Sequence, residues 1–390
     1  MAADASLPGI IATVVSDRHG LCWSGAVGAV TRGGNAVLGS VSAKLKQDGT
    51  GPLPHPATQQ QYVMGGRVGE RAGADSAKLK TTLTPDHAFR IASVTKVFVA
   101  ATALRLVEQR RLSLFAPASR WLSQRTLAAL ADNGHPVDAI TPFQLLAHIA
   151  GLRDHGSHPD YADRVVGDPC HVWTRAEQIE LAMTYGPPLA PPGKQFAYSD
   201  TGYLLIGEII ENVTGMALAS AVRTLLDFDR LGLTRTFWER AEPPPERLAR
   251  AGQYFGDLPV ATIDPSADLF GGGGLVSTTG DLVGFLRALL RGALFAYPET
   301  LAAGLLTPAV AIGDAGHIHS ALLRSTVIGG RPCWSHGGFW GVQLVHFVHA
   351  DVTLALTFNQ VKCDTHTSGD IGRDGLVDRL ARLALAGFDR

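Results

Sequence analysis

The chain carries almost no net charge: 34 Lys and Arg stand against 35 Asp and Glu, a formal balance of −1. Nothing in that balance draws the protein to nucleic acid or another polyanion, so no such partner is expected. Cysteine is scarce. The four present (Cys22, Cys170, Cys333, Cys363) are far apart and form no C-x-x-C, so neither a disulfide framework nor a thiolate metal site is indicated. No uncharged apolar run reaches the roughly 18 residues that a membrane-spanning helix needs, and no membrane insertion is expected. The first residues, Met1 to Pro8, lack a basic segment leading into a long apolar core. That core marks a secretory leader, so a cytoplasmic protein is the expectation. The 14 histidines include His317, His319, His346 and His349. No H-E-x-x-H occurs and no carboxylate sits at ligand-like spacing, so these read as strand or loop residues, and no metal or cofactor is expected. No internal repeat is present.

What is there is ordinary globular composition, 46% hydrophobic and 18% charged over 390 residues. That length allows two modest domains or one with a large insertion. Residues 9–31 read as a hairpin, with strands at 10–15 and 21–27 about a turn at Asp17-Arg18-His19-Gly20. Residues 32–82, rich in Gly, Gln, Lys and Pro with little periodicity, read as an extended excursion with a short strand at 61–64. Helical signals dominate from Thr95 to about Leu290, and 281–290 has helical spacing with an acidic first turn. Strands return at 325–328, 342–348 and 352–358, and a last helix is expected over 374–385. Strands at both ends with helices between predict an α/β (α+β) fold. Residues 1–95 and 276–390 would build one antiparallel sheet flanked by helices, 96–275 an inserted helical domain, and the active site would lie at their interface.

The sharpest motif is Ser93-Val94-Thr95-Lys96, an S-x-x-K tetrad at the start of an apolar helical run. Positions i and i+3 share one helix face, so the hydroxyl and the amine project side by side. A serine becomes a nucleophile when a neighbouring base takes its proton, and a desolvated lysine can serve. Composition alone yields about 0.3 such pairs in a chain like this, so the tetrad needs company. A second candidate is Tyr198-Ser199-Asp200, just before the apolar helical run 204–211. Lys96 as an ammonium would lower the pKa of Tyr198 and let it act as a base, with Asp200 holding Lys96 charged. The bland alternative is a buried tyrosine followed by an Asp N-cap. A competing Tyr161-Ala162-Asp163 is read as lying in a polar loop with no apolar helix after it. A third candidate is Trp334-Ser335-His336-Gly337-Gly338-Phe339-Trp340 before a strand. Its glycines let a substrate lie against the backbone, and an edge strand there would offer N–H donors; otherwise it is an aromatic-rich turn between core strands. His148 is expected to pack or cap near Gly151 and Tyr203 to be core; Asp154, His155 and His158 read as a solvated loop, with a place at the cleft border as the alternative.

In this order S-x-x-K, Y-x-D and H-G-G resemble the three motifs of the serine β-lactamase and penicillin-binding superfamily, in its class C β-lactamase and esterase branch. Residues 85–93 resemble its lead-in to the nucleophile, 140–152 its helix ending in a Ser/Ala-Gly-Leu turn, and 271–282 its glycine-rich return to the α/β domain. The resemblance covers about 8–31 and 82–360. It implies that Ser93 is acylated, Lys96 is its proton partner and Tyr198 is the general base for both half-reactions. His336 would stand where many relatives carry a lysine, and the N–H groups of Ser93 and Phe339 would form the oxyanion hole. Two departures bear on substrate. Asp200 replaces the usual asparagine and, ionised, can only accept hydrogen bonds. His336 is largely neutral near pH 7, unlike lysine. Both favour an ester or amide without a carboxylate, so an esterase is the main expectation, with Phe339 and Trp340 lining an apolar acyl pocket. Alternatives are a D-amino-acid peptidase or amidase, a weak β-lactamase, an acyltransferase and, outside enzymes, a penicilloyl-type sensor or a silent binding module.

Overall fold

A computed structural model describes residues 10–16, 21–27, 83–306, 318–359 and 385. The expected excursion over 32–82, the turn at 17–20 and the last helix, apart from Leu385, lie outside these residues.

The strands, in chain order, are β1 (Ile10–Ser16), β2 (Leu21–Val27), β3 (Phe89–Arg90), β4 (Phe237–Trp238), β5 (Tyr254–Phe255) and β6 (Leu258–Pro259). They continue as β7 (Leu275–Ser277), β8 (Ile318–His319), β9 (Arg324–Ile328), β10 (Arg331–Gly338), β11 (Val342–Phe347) and β12 (Val352–Phe358). Seven of them form one sheet in the order β2-β1-β12-β11-β10-β9-β8. Each pairing is antiparallel, and β1 on β12 (Ile10 opposite Phe358) ties the two ends of the chain together. The expected antiparallel sheet from both termini is thus present. β12 is buried on every residue, as a central strand covered on both faces must be.

The helices are α1 (Thr95–Glu108), α2 (Gln124–Asp132), α3 (Pro142–Leu146), α4 (Pro159–Gly167) and α5 (Arg175–Thr184). α6 (Asp200–Thr214), α7 (Leu218–Leu226), α8 (Thr279–Leu290) and α9 (Pro298–Gly304) follow. α1 is buried from Thr95 through Leu104 without a polar stripe, so it runs through the core rather than over it. It packs on α6, α7 and α9, while α8 covers the sheet at β1, β11 and β12. Among the described residues no single helix is long and apolar enough to cross a membrane.

Three readings need correction. The stretch from Thr95 to about Leu290, read as dominated by helices, also holds β4 and β7, which join the preceding β3 in a small second sheet, and the β5–β6 hairpin. Two or three residues cannot display a period-two pattern. Tyr161 lies in α4, begun by Pro159 after a His158 cap, rather than in a polar loop. The stretch read either as an edge strand or as a turn is strand β10 (331–338), but inside the sheet between β9 and β11 rather than at its edge. The register of β9 stops at Ser335, whereas that of β11 runs on to Gly338, so the His336–Gly338 end still reaches beyond β9.

Candidate active site

Ser93 occupies a 3-10 turn (Ala92–Val94) that feeds directly into α1. Ala92, just before it, is buried and has φ +46, a left-handed conformation that a side chain adopts only when its surroundings impose it. The turn delivers Ser93 to the floor of a cleft of about 340 Å³, lined also by Tyr198, His319, Arg324, His336 to Phe339 and Gln343.

Lys96, one turn on, is completely buried. An ammonium has three protons to place. Lys96 Nζ donates to Ser93 Oγ at 2.9 Å, to the Gly272 carbonyl at 2.6 Å and to the Asp200 carboxylate. Burial works to lower its pKa, but the charge of Asp200 and its hydrogen bond to Lys96 lead the opposing effects that hold Lys96 above the usual lysine range. Its three donated bonds and this shift both favour the charged form.

Tyr198 comes in from the segment before α6. Ser199, not Asp200, caps that helix, accepting from Gly202 N at 3.0 Å. Asp200 is then the first helical residue, its carboxylate turned to Lys96; it is the lysine's counter-ion and does not line the cleft. The Tyr198 hydroxyl lies within hydrogen-bond reach of Ser93 and Lys96. Burial pushes its pKa up to about 12; Lys96 pulls the other way but loses. Lys96 thus acts on Tyr198 in the expected direction, but burial is the larger effect and favours the neutral phenol at rest.

β10 forms the opposite wall. A Cβ on Gly338 would sit 2.3 Å from the Ile91 carbonyl, so only glycine lets the strand end press against the turn carrying Ser93. His336 Nδ1 faces the Gly337 carbonyl at 2.9 Å, which places its proton there. Burial, with Lys96 and His319 nearby, lowers the His336 pKa to about 3, so the ring is neutral at pH 7. Phe339 stands 52% exposed at the cleft rim, in contact with the Phe255 ring at 5.8 Å. Trp340 is not brought to this cleft. In the turn after β10 its ring meets the Phe339 ring edge-on, centroids 4.9 Å apart, and is buried with Tyr161, Trp173, Val260 and Ile263, beside a void of about 10 Å³ shared with Asp268 and Arg90.

Sequence reasoning missed Arg324, Gln343 and His319, which complete the lining, and Asp268, which burial pushes up to about 7. Arg324 is a cation at the end where a lysine is absent, held by the described residues only through a 3.5 Å contact from Nε to Ser335 Oγ. No short motif could have announced it, because sheet register alone puts it there. The loop at Asp154 and His155 does not border the cleft. It clamps the start of α6, Asp154 Oδ1 accepting from Thr201 N at 2.9 Å and His155 N donating to Thr201 Oγ1 at 3.0 Å. Tyr203 is core, and Tyr161 donates to the Ala267 carbonyl deep inside. Among the described residues no cluster of His, Cys, Asp and Glu could hold a metal ion.

A family model described as Beta-lactamase matches residues 24–376. The chain belongs to that family, and it is a serine hydrolase. Esterase EstB of Burkholderia gladioli is 29% identical over 306 residues, 70% of this chain and 76% of that protein. Penicillin-binding protein 4* of Bacillus subtilis (strain 168) is 28% identical over 172 residues, 43% of this chain but only 34% of that protein. In structure the chain is similar to a D-stereospecific amidohydrolase from Streptomyces sp., with TM-score 0.67 and 24% identity over 91% of this chain and 90% of the other.

Proposed function

We propose that the protein is an esterase that works through an acyl-enzyme on Ser93. The observation that carries this reading is the convergence of the Ser93 hydroxyl, the Lys96 ammonium and the Tyr198 phenol on the floor of one cleft. Lys96 already donates to Ser93 Oγ, so the serine proton is left for another acceptor, and the Tyr198 oxygen is the one in reach. Because Tyr198 is a neutral phenol, it acts as a relay. Ser93 Oγ attacks the ester carbonyl carbon, its proton passes to the Tyr198 oxygen, and the phenolic proton passes to the departing alkoxide as the C–O bond breaks. Water reverses the path in deacylation. The N–H groups of Ser93 and Phe339 take the oxyanion, and the fixed charge of Lys96 needs no reorganisation during the reaction. Phe339 and Phe255 offer an apolar surface to the acyl or alcohol part, and His336 and Gly338 border the bound ester. The division into 1–95 with 276–390 and 96–275, with the cleft between, is part of the same reading.

The similarity to a D-stereospecific amidohydrolase favours a second reading, an amidase for D-amino-acid derivatives. Hydrolysis of p-nitrophenyl esters, D-amino-acid p-nitroanilides and nitrocefin by one preparation separates ester, amide and β-lactam chemistry. The decisive comparison is p-nitrophenyl ester hydrolysis by wild type and Ser93→Ala, with intact-mass detection of an acyl adduct on Ser93. Activity confined to wild type is expected; equal rates would end the proposal.

A further inference from the structure

His148 follows α3 and holds Tyr198 from three directions. Its carbonyl accepts from Ala197 N at 2.8 Å and its Nδ1 accepts from Ser199 N at 3.1 Å, so it bonds to the residues on both sides of the tyrosine. Its ring stacks on the Tyr198 ring, centroids 4.3 Å apart and planes 27° apart. His148 is itself locked. It is 3% exposed, has φ +59, and its ring also meets those of Tyr203 and His319 at 5.3 and 5.5 Å. A non-glycine residue keeps a left-handed backbone only where its contacts over-determine it.

The residue type follows from what must be done there. Nδ1 accepts a backbone proton, so the ring is neutral with its own proton on Nε2. Burial, and the nearness of His319, Lys96 and His336, press in the same direction. A phenylalanine could stack on Tyr198 but would leave the Ser199 N–H without its acceptor. An asparagine could accept and tolerates positive φ, but it cannot stack.

We propose that His148 is a positioning residue for Tyr198: its neutral imidazole fixes the ring plane and both flanking peptides, so that the phenol stays in reach of Ser93 and Lys96. The inference rests on the esterase reading for the chemistry, but the geometry it explains is independent of the substrate. A displaced proton relay costs rate rather than affinity, because the first complex forms without it.

The test uses the full chain with Tyr198→Phe, His148→Asn, His148→Phe and the two double variants, assayed on a p-nitrophenyl ester. His148→Asn keeps the acceptor and the backbone conformation; His148→Phe keeps the stack. Each is expected to lower kcat by about 10- to 100-fold with KM nearly unchanged. In the Tyr198→Phe background neither should lower kcat further, because nothing is left to position. Wild-type kcat in both single variants, or an equal loss in the presence and absence of Tyr198, would overturn the inference. Should Ser93→Ala keep wild-type activity, the esterase reading fails. Should Ser93→Ala be inactive while the His148 variants match wild type, only the positioning role fails.

Discussion

Lys96 and Asp200 form an ion pair in which the cation is wholly enclosed and the carboxylate is 23% exposed. The asymmetry decides what each substitution does. Asp200→Ala leaves a buried ammonium with one proton unplaced, and losing one partner of a buried pair costs about 3–5 kcal/mol. Asp200→Asn keeps an oxygen acceptor for Lys96 but removes the charge that keeps the lysine protonated. Urea unfolding should therefore order stability as wild type, then Asn, then Ala, with esterase activity reduced in both variants. Unchanged midpoints in both would mean the pair contributes nothing.

Tyr198→Phe retains the ring that stacks on His148 and removes only the hydroxyl. Loss of a positioned proton-transfer group lowers kcat by about 10²–10⁴-fold. KM should change little, and Ser93 should still be labelled slowly by a fluorophosphonate. A variant with wild-type kcat would show that another group moves the serine proton.

The parts legible in the sequence are those whose chemistry is local. Ser93 and Lys96 are three residues apart, and Tyr198 sits beside the cap of an apolar helix; both signals survive without knowledge of the fold. The sheet from the two termini was legible because β1, β11 and β12 are rich in β-branched and large apolar residues. β10 was only half legible: Gly337 and Gly338 allowed a turn as well as an edge strand, and only its partners make it a strand inside the sheet. Arg324 and His148 escaped for a different reason. Nothing near either in sequence differs from an ordinary strand arginine or helix-end histidine, and only the pairing of β9 with β10 and the fold of α3 onto the Tyr198 segment give them work. The net Tyr198 shift was illegible for a similar reason: the pull of Lys96 could be guessed from motifs, but burial could not.

Gly338→Ala tests how tightly β10 is pressed onto the nucleophile turn. The added methyl group would meet the Ile91 carbonyl at 2.3 Å, a backbone atom that cannot swing aside. Either the strand end or the turn must move, and with it the Phe339 N–H relative to Ser93. Removing one oxyanion donor costs about 10²–10³ in kcat. A loss of that order is expected, together with a lowered melting temperature. Alanine at 338 with full activity would exclude the Phe339 N–H from the oxyanion site.

Asp268 supplies a prediction about stability and pH. Burial raises its pKa to about 7, against the pull of Lys96 and Arg90, whereas in the unfolded chain it titrates near the usual value of about 3.9. The folded protein therefore holds this proton more tightly than the unfolded one. Between about pH 4 and 7 the contribution of Asp268 to stability falls as pH rises, by at most about 1.4 kcal/mol per pH unit. Partial solvent contact trims the slope below that ceiling. Asp268→Asn imitates the protonated form and abolishes the slope. Its urea midpoint should match wild type most closely at pH 4 and exceed it at pH 8. A variant that tracks wild type at every pH would show that Asp268 ionises as readily in the fold as outside it, and that the void beside Trp340 is wet enough to solvate its charge.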